Sequence, residues 1–393
     1  MNPSERRVAL RGWLDAGITA VDPEERTTEA LKPSNDGPPV VIAIGKAAAA
    51  MSRGAANALG AVTGVCVADV PGQVPNGVEL LIGDHPIPGE ASFEAGKRVL
   101  EIARSTKGRC IALISGGGSA LCEQPLPGIE RAYLRMVHSL LLDRGASIEE
   151  TNLVRRHLSS IKCGGVARAA DVPIETYVVS DVGKAGPGVV ASGPTLPVRP
   201  EPERAAELMG QFDISIPESV WEAMNRIRHD MPGAASPLVL ADGRVAAKAI
   251  AEAARTEGVE SRVLDGWIAG PLEASLDDFF AGSGPGLSIA CGEPTLNVRG
   301  DGIGGRNSHA ALMAATRIMN EQTLFVSFAT DGIDGRSDAA GAIVDGVTLD
   351  RGGDPGDSLL RFDSASYLDR TRDLIRTGPT GTNVADLWAL WRT

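Results

Sequence analysis

Lys46 stands directly after an apolar run and a glycine, in "VVIAIGKAAAAM", where a strand pattern turns into an alanine-rich helical one. An ammonium at such a turn can reach a phosphate while the first helix N–H groups face the same way. The chain has seven lysines against 31 arginines, so a lysine in this setting stands out from the solvated surface lysine that is the alternative. The spacing is not that of a Walker A loop. A second turn, in "LISGGGSAL", sets Ser115, Gly116, Gly117, Gly118 and Ser119 after another apolar run. Consecutive glycines leave N–H groups bare for an anion, or else serve a tight turn with positive φ.

Acids and cations recur in comparable places. Asp181, in "SDVGKAGPGVVASGPT", follows an apolar strand end, where a carboxylate can bind magnesium, accept a hydroxyl proton, or cap a turn. "TDGIDGRSDAAGAIVD" brings Asp331, Asp334 and Asp338 within eight residues, interleaved with glycines. That pattern suits a hard cation that keeps waters and bridges to phosphates, and it lacks the EF-hand ligand order. "NLVRRHLSSIKCGG" concentrates Arg155, Arg156, His157 and Lys162, with a solvated helix face as the alternative. Gly300, Gly302 and Gly305 satisfy GxGxxG, a weak dinucleotide signal by itself. Arg306 follows at a helix start, where a guanidinium can clamp a phosphate or carboxylate bidentately. Glycine cradles, one isolated lysine, arginines and clustered aspartates are together the parts of a phosphoryl-transfer site.

The elements that position these residues repeat one pattern: a short β-branched run, a Gly/Ser/Asp loop, then an alanine-rich helix. It begins at Val40, Cys110, Thr176, Pro237, Leu287 and Leu324. Strands alternating with helices predict an α/β fold with a mainly parallel sheet, and in such sheets ligands bind beyond the carboxyl ends of the strands. Proline clusters at 194–202 and 229–237 place a boundary near residue 235, giving domains 1–235 and 236–393. The tail "RTGPTGTNVADLWALW" is too rich in glycine and small polar residues for a plain C-terminal helix. Residues 377–383 read either as a further loop of the site or as a cap, and the last residues are allowed to return to the first domain.

Composition bounds the partners. Net charge is −12 with no basic run, and aromatic residues make up 4%; this argues against nucleic acid and anionic membranes. Five scattered cysteines without CxxC spacing fit a reducing compartment. No apolar stretch reaches bilayer length and no secretory h-region is visible, so the expectation is a cytoplasmic protein.

The blocks "AIGKAAAAM", "GDHPIPGEAS", "LISGGGSAL", "NLVRRHLSSIKCGG", "SDV" with "ASGPT", "GGRN", "TDGIDGRSDAAGAI" and "TGPTGTNVADL" occur in this order from about Val40 to Leu387. In this the chain resembles the glycerate 2-kinases of the MOFRL type, once often labelled hydroxypyruvate reductases. The resemblance implies a two-domain protein: a Rossmann-like N-terminal domain, a smaller α/β C-terminal MOFRL domain, and an active site in the interdomain cleft. It implies ATP and Mg2+ as cofactors and phosphorylation of the 2-hydroxyl of D-glycerate. By it, Lys46 and Arg306 match the active-site lysine and arginine, and Asp181 and Asp331 the essential acids. Gly45, the turn Ser115, Gly116, Gly117, Gly118 and Ser119, and Gly304, Gly305 and Asn307 are expected at the nucleotide. Arg155, His157, Lys162 and Ser192 are expected at the substrate, and Asp331 and Asp334 at the metal; a homodimer is left open.

Three departures stand out. Lys184, Ala185 and Gly186 replace the family's Gly-Asp-Asp, His309 replaces an acid after "GGRN", and Cys291 opens "CGE" where a glycine is usual. The first raises the alternatives of a different hydroxy-acid substrate or a non-catalytic binding member. A nicotinamide-dependent reductase using Gly300–Gly305 is the remaining rival.

Overall fold

The computed structural model describes the chain apart from residues 35–36, 184–185, 197–198, 227–235 and 393. The expected boundary at 235 and two of the substituted positions, Lys184 and Ala185, lie outside the described residues. The rest falls into two compact units.

The first unit comprises Pro23–Ser180 and Ala185–Leu240. Its sheet is built from β1 (Val40–Ile44), β2 (Thr63–Ala68), β3 (Val78–Ile82), β4 (Cys110–Ile114), β5 (Ile174–Val179) and β6 (Leu238–Ala241), in the order β3-β2-β1-β4-β5-β6. The pairs β3–β2, β2–β1, β1–β4 and β4–β5 are parallel. Every residue of β4 and all but one of β1 are buried, as expected of central strands covered by helices on both faces. The register aligns their ends: Ile44 pairs with Val67 and Ile114, Ala68 with Ile82, and Ile114 with Val178. The loops that follow therefore leave one edge of the sheet, which puts Lys46, Asp69, His85 and Ser115 on a common rim.

The second unit comprises Met1–Asp22, Asp181–Lys184 and Ala241–Thr393. Its strands are β7 (Ser261–Val263), β8 (Ile268–Pro271), β9 (Gly286–Thr295), β10 (Thr323–Ala329), β11 (Gly341–Asp345), β12 (Leu374–Ile375) and β13 (Asp386–Arg392). The order is β12-β11-β10-β13-β9-β7, with β8 also on β9. This sheet is mixed: β10 runs antiparallel to β11 and β13, and β13 antiparallel to β9, while β7 and β8 lie parallel to β9. Phe279, Phe325 and Trp388 meet edge-on at 5.6–6.1 Å between ring centres to form its core.

Two features of the domain division differ from expectation. The N-terminal helix Pro3–Thr19 belongs to the second unit: Arg6 donates to the carbonyls of Gln322 and Trp391, and Arg7 pairs with Asp345 and Asp373. An amphipathic helix declares an apolar face, but not which sheet will cover it. The last residues do not return to the first domain; β13 lies between β10 and β9, where its continuous run Asp386–Trp391 is buried as a central strand of the mixed sheet.

Candidate active site

In the first unit two glycine turns interlock. Gly45 has φ +126°, and a Cβ there would lie 2.3 Å from Ser115 Oγ. Ser115 Oγ accepts from the amide of Ala47 at 3.0 Å, and Gly116 O accepts from Lys46 N at 2.9 Å. A Cβ on Gly118 would meet Ala191 Cβ at 2.8 Å and Ile44 Cγ2 at 2.9 Å. Close approach of three backbone segments thus accounts for two of these glycines, and Gly117, at φ +81°, supplies the positive φ of the turn. The stem of Lys46 lies over Gly117. Beside it Ala191, Ser192 and Gly193 all take positive φ, and Ser192 Oγ bonds Ser119 Oγ at 2.9 Å. Non-glycine residues held in the left-handed region cost of order 1–3 kcal/mol each and concentrate at functional sites.

The cationic segment separates into different roles. Arg155 is 7% exposed, and its guanidinium makes no hydrogen bond or ion pair among the described residues; Nε is fully enclosed. Burial draws its pKa down, against the attraction of Glu123. Lys162 is corrected from substrate contact to buried structure. It is wholly enclosed and ion-paired with Glu123, which also accepts from Ser159 Oγ and from Gln124 N. His157 is corrected likewise: it is buried, with Nδ1 on Leu153 O at 2.7 Å and Nε2 accepting from Glu201 N at 2.8 Å. Both ring nitrogens are committed, tying helix Ile148–Arg156 to Glu201 at the start of helix Pro202–Gln211.

In the second unit the helix Arg306–Arg317 opens at "GGRN". Its first amides do not await a phosphate. Asp334 accepts from Gly305 N at 3.1 Å, Asn307 N at 2.8 Å and Ser308 N at 2.8 Å. Asp334 is therefore corrected from metal ligand to the cap of this helix, where a carboxylate complements the N-terminal partial charge. Gly305 and Asn307 are corrected with it: their amides serve Asp334, and the Asn307 side chain is buried, accepting from Ser327 Oγ at 2.6 Å. Gly304, at φ +148°, shapes the same turn, its carbonyl accepting from Arg336 N. Gly300 and Gly302 lie tight against Arg361 and Asp363, so the GxGxxG spacing reflects loop packing, and the reductase fingerprint loses its cradle.

Arg306 is held from one side. Nε donates to Asp386 Oδ2 at 2.5 Å, Nη2 donates to Asp386 Oδ1 at 3.1 Å, and Glu293 stands 2.9 Å from Nη2. Burial works against its charge, but Asp386, Glu293 and Asp334 outweigh it and raise its pKa. Full burial pushes Asp386 up to about 6, against the pull of Arg306. His309, in place of the family's acid, is buried, stacks on Phe362 and bonds Ser364 Oγ at 2.8 Å. Asp338 pairs with Arg376. Asp331 accepts from Ile333 N through Oδ1, and a Cβ on the next residue, Gly332, would lie 2.0 Å from Gly378 O. Residues 377–383 thus lie against the Asp331 loop, and Thr382 also donates to Val21 O.

Among the described residues no group of three His, Cys, Asp or Glu side chains forms a metal cage. Of the three loop aspartates, Asp334 caps a helix and Asp338 pairs with Arg376; a single loop carboxylate supplemented by phosphate oxygens and waters is a ligand set of the kind magnesium takes. Sequence reasoning missed Asp386 and Glu293, the acids that hold Arg306, and Glu123 beneath Lys162. A lone acid in the apolar run "VADLWALW" was the available sign. It also missed His85, which lies within electrostatic reach of Lys46 and Arg155.

A parallel sheet whose glycine loops leave one rim, joined in the same chain to a mixed sheet with a helix that opens at "GGRN", is the plan of a two-domain α/β protein. Residues 9–225 match the family described as "Domain of unknown function (DUF4147)", and residues 286–386 match the MOFRL family. The chain belongs to the glycerate 2-kinase family of the MOFRL type. It is 33% identical to the glycerate 2-kinase of Pyrococcus horikoshii, over 96% of this chain and 95% of that one. It is 35% identical to the D-glycerate 2-kinase of Thermotoga maritima, over 94% of each. A crystal structure of the Thermotoga maritima glycerate kinase superposes with a TM-score of 0.90 at 30% identity, covering 100% of both chains.

Proposed function

We propose that this protein is an ATP-dependent kinase of D-glycerate that transfers the γ-phosphoryl group to the 2-hydroxyl, giving 2-phosphoglycerate and ADP. The observation that carries this reading is likeness along nearly the whole chain to two named glycerate 2-kinases at 33% and 35% identity. The bond from phosphorus to the β,γ-bridging oxygen breaks, a bond to the glycerate O2 forms, and the hydroxyl proton leaves.

Such transfer is mostly positioning and charge neutralisation. Lys46, rooted in the interlocked turns, and Arg306, oriented by Asp386, would neutralise the transferring group, each supplying a few kcal/mol. The turn Ser115–Ser119, with Gly45, would cradle phosphate. Arg155 would pair with the substrate carboxylate, which accounts for a buried arginine with no hydrogen bond or ion pair among the described residues, and Ser192 would help to bound that pocket. Asp181 would orient or deprotonate the hydroxyl, and Asp331 would hold magnesium, whose charge would offset that of the phosphates.

The test is incubation with D-glycerate, ATP and magnesium, wild type against Lys46→Ala, with phosphoglycerate detected by mass spectrometry. Product that depends on Lys46 supports the reading; no product from either protein overturns it. A second reading, a kinase for a different small 2-hydroxy acid, is favoured by the loss of Gly-Asp-Asp at 184–186. A panel of hydroxy acids in the same assay decides between them.

A further inference from the structure

His85 belongs to the block "GDHPIPGEAS", a different segment from those that carry Lys46, Arg155 and Arg306. Its loop leaves the carboxyl end of β3, on the rim that carries Lys46 after β1 and Asp69 after β2. The loop is pinned on three sides. Gly83 N donates to Ala68 O at 2.9 Å, and a Cβ on Gly83 would lie 2.1 Å from Leu121 O, so the chain rests on the end of the Ser115–Leu121 segment. Asp84 N donates to Ser92 Oγ at 2.8 Å, and Asp84 Oδ2 accepts from Ser92 N at 3.2 Å. Ser92 itself is fully buried. With its neighbours fixed, His85 is nonetheless exposed, and its imidazole makes no hydrogen bond among the described residues. A rigid loop that presents an unengaged imidazole to a rim of ligand-binding loops is arranged for a ligand.

Arg155 is the second, independent observation. It is 7% exposed and makes no hydrogen bond or ion pair among the described residues, with only the electrostatic pull of Glu123 on it, and such burial is costly unless something anionic completes it. Among the described residues, Lys46, Arg155 and Asp69 act electrostatically on His85, with Asp84 adjacent in sequence. Partial desolvation at the rim lowers the His85 pKa, Lys46 and Arg155 lower it further, and Asp69 works the other way. The free protein therefore carries His85 mainly as the neutral ring at pH 7.

We propose that His85 contacts the anionic ligand held by Lys46 and Arg155, and that on binding it takes a proton from solvent to become the third cation of that site. A bound dianion reverses the surroundings that disfavour the imidazolium, so protonation and binding reinforce each other. The sign follows directly. The bound form has the higher histidine pKa, so affinity for the anion rises as pH falls from about 8 to about 6. A displacement of one pKa unit corresponds to at most about tenfold in affinity, reached only at pH well below both pKa values, so several-fold is expected between those limits.

The proposal rests on the reading of Lys46 and Arg155 as the anion-binding pair, and the experiment separates the two. The probe is 2-phospho-D-glycerate, which carries both a phosphate and a carboxylate and needs no nucleotide. Titration calorimetry at pH 7, in two buffers of unlike ionisation enthalpy, measures protons taken up on binding. Wild type, His85→Gln and Lys46→Ala are compared, and the affinities of the first two are followed from pH 6 to pH 8. The ligand's own phosphate titration is common to both and cancels. The expected result is greater proton uptake by wild type than by H85Q, with wild-type affinity several-fold more pH-dependent. Equal uptake and parallel pH profiles would overturn the assignment of His85. Undiminished binding by K46A would overturn the placement of the ligand, and the proposal with it.

Discussion

Asp386→Asn isolates the device that orients Arg306. The wild-type carboxylate is 1% exposed and receives two hydrogen bonds from one edge of the guanidinium, at 2.5 and 3.1 Å. The amide keeps the shape but offers one acceptor oxygen and no charge, so Arg306 keeps only half of its clamp and leans toward Glu293. A charge-assisted hydrogen bond contributes about 1.5–3 kcal/mol. If that much positioning is lost from the transition state, kcat/KM falls by about 10- to 100-fold, at roughly 1.4 kcal/mol per decade. Stability should behave differently. Because the folded-state pKa of Asp386 is raised from 3.8 to about 6, its stabilising contribution is complete below pH 3.8 and is lost as pH rises through about 6. The ionised group then costs the fold roughly 3 kcal/mol at neutral pH. Removing that charge offsets the weakened pairing with Arg306, so the variant should melt within a few degrees of wild type at pH 7. The assay is steady-state kinetics from pH 5 to 8, paired with thermal unfolding. Wild-type kcat/KM should decline as pH falls through about 6 and the clamp is protonated, and D386N should lack that limb. A D386N enzyme with wild-type kcat/KM and an unchanged pH profile would refute the reasoning.

Glu123→Gln should destabilise the protein by about 3–5 kcal/mol in denaturant unfolding, because it strands the fully buried Lys162 ammonium. Replacing the pair together, as Glu123→Leu with Lys162→Met, should recover most of that loss; an equally damaged double variant would count against it. Asp334→Ala should lower thermal stability by about 1–3 kcal/mol through loss of a buried cap with three amide donors. Its magnesium dependence of rate should match wild type, and a large rise in the magnesium requirement would restore Asp334 as a ligand. Gly118→Ala drives a methyl into Ala191 and Ile44. It should reduce activity at least tenfold while the protein remains folded by circular dichroism, whereas full activity would detach the 191–193 turn from the site.

Much of the architecture was legible because it depends on local pattern. Apolar runs that end in glycine loops became β1, β4, β5, β9 and β10, and the rim position of Lys46 followed from parallel topology alone. What was illegible depends on which distant groups meet. Asp334 and Asp331 have the same type and the same glycine neighbours, yet one faces three amides at a helix start and the other does not. Arg155 and Lys162 read as one charged face, but Lys162 pairs with Glu123 39 residues away, while Arg155 makes no hydrogen bond or ion pair among the described residues. The attachment of Pro3–Thr19 to the second unit rests on Arg6 reaching Trp391 O across 385 residues of chain, a pairing that no periodicity encodes.

The central claim is transfer of phosphoryl specifically to the 2-hydroxyl of a small hydroxy acid. Proton-coupled 31P NMR of the product formed from D-glycerate tests it most directly. The expected spectrum is a phosphorus doublet from the single C2 proton, absent with Lys46→Ala. A triplet from the two C3 protons, or no phosphorylated product across the hydroxy-acid panel, would contradict it.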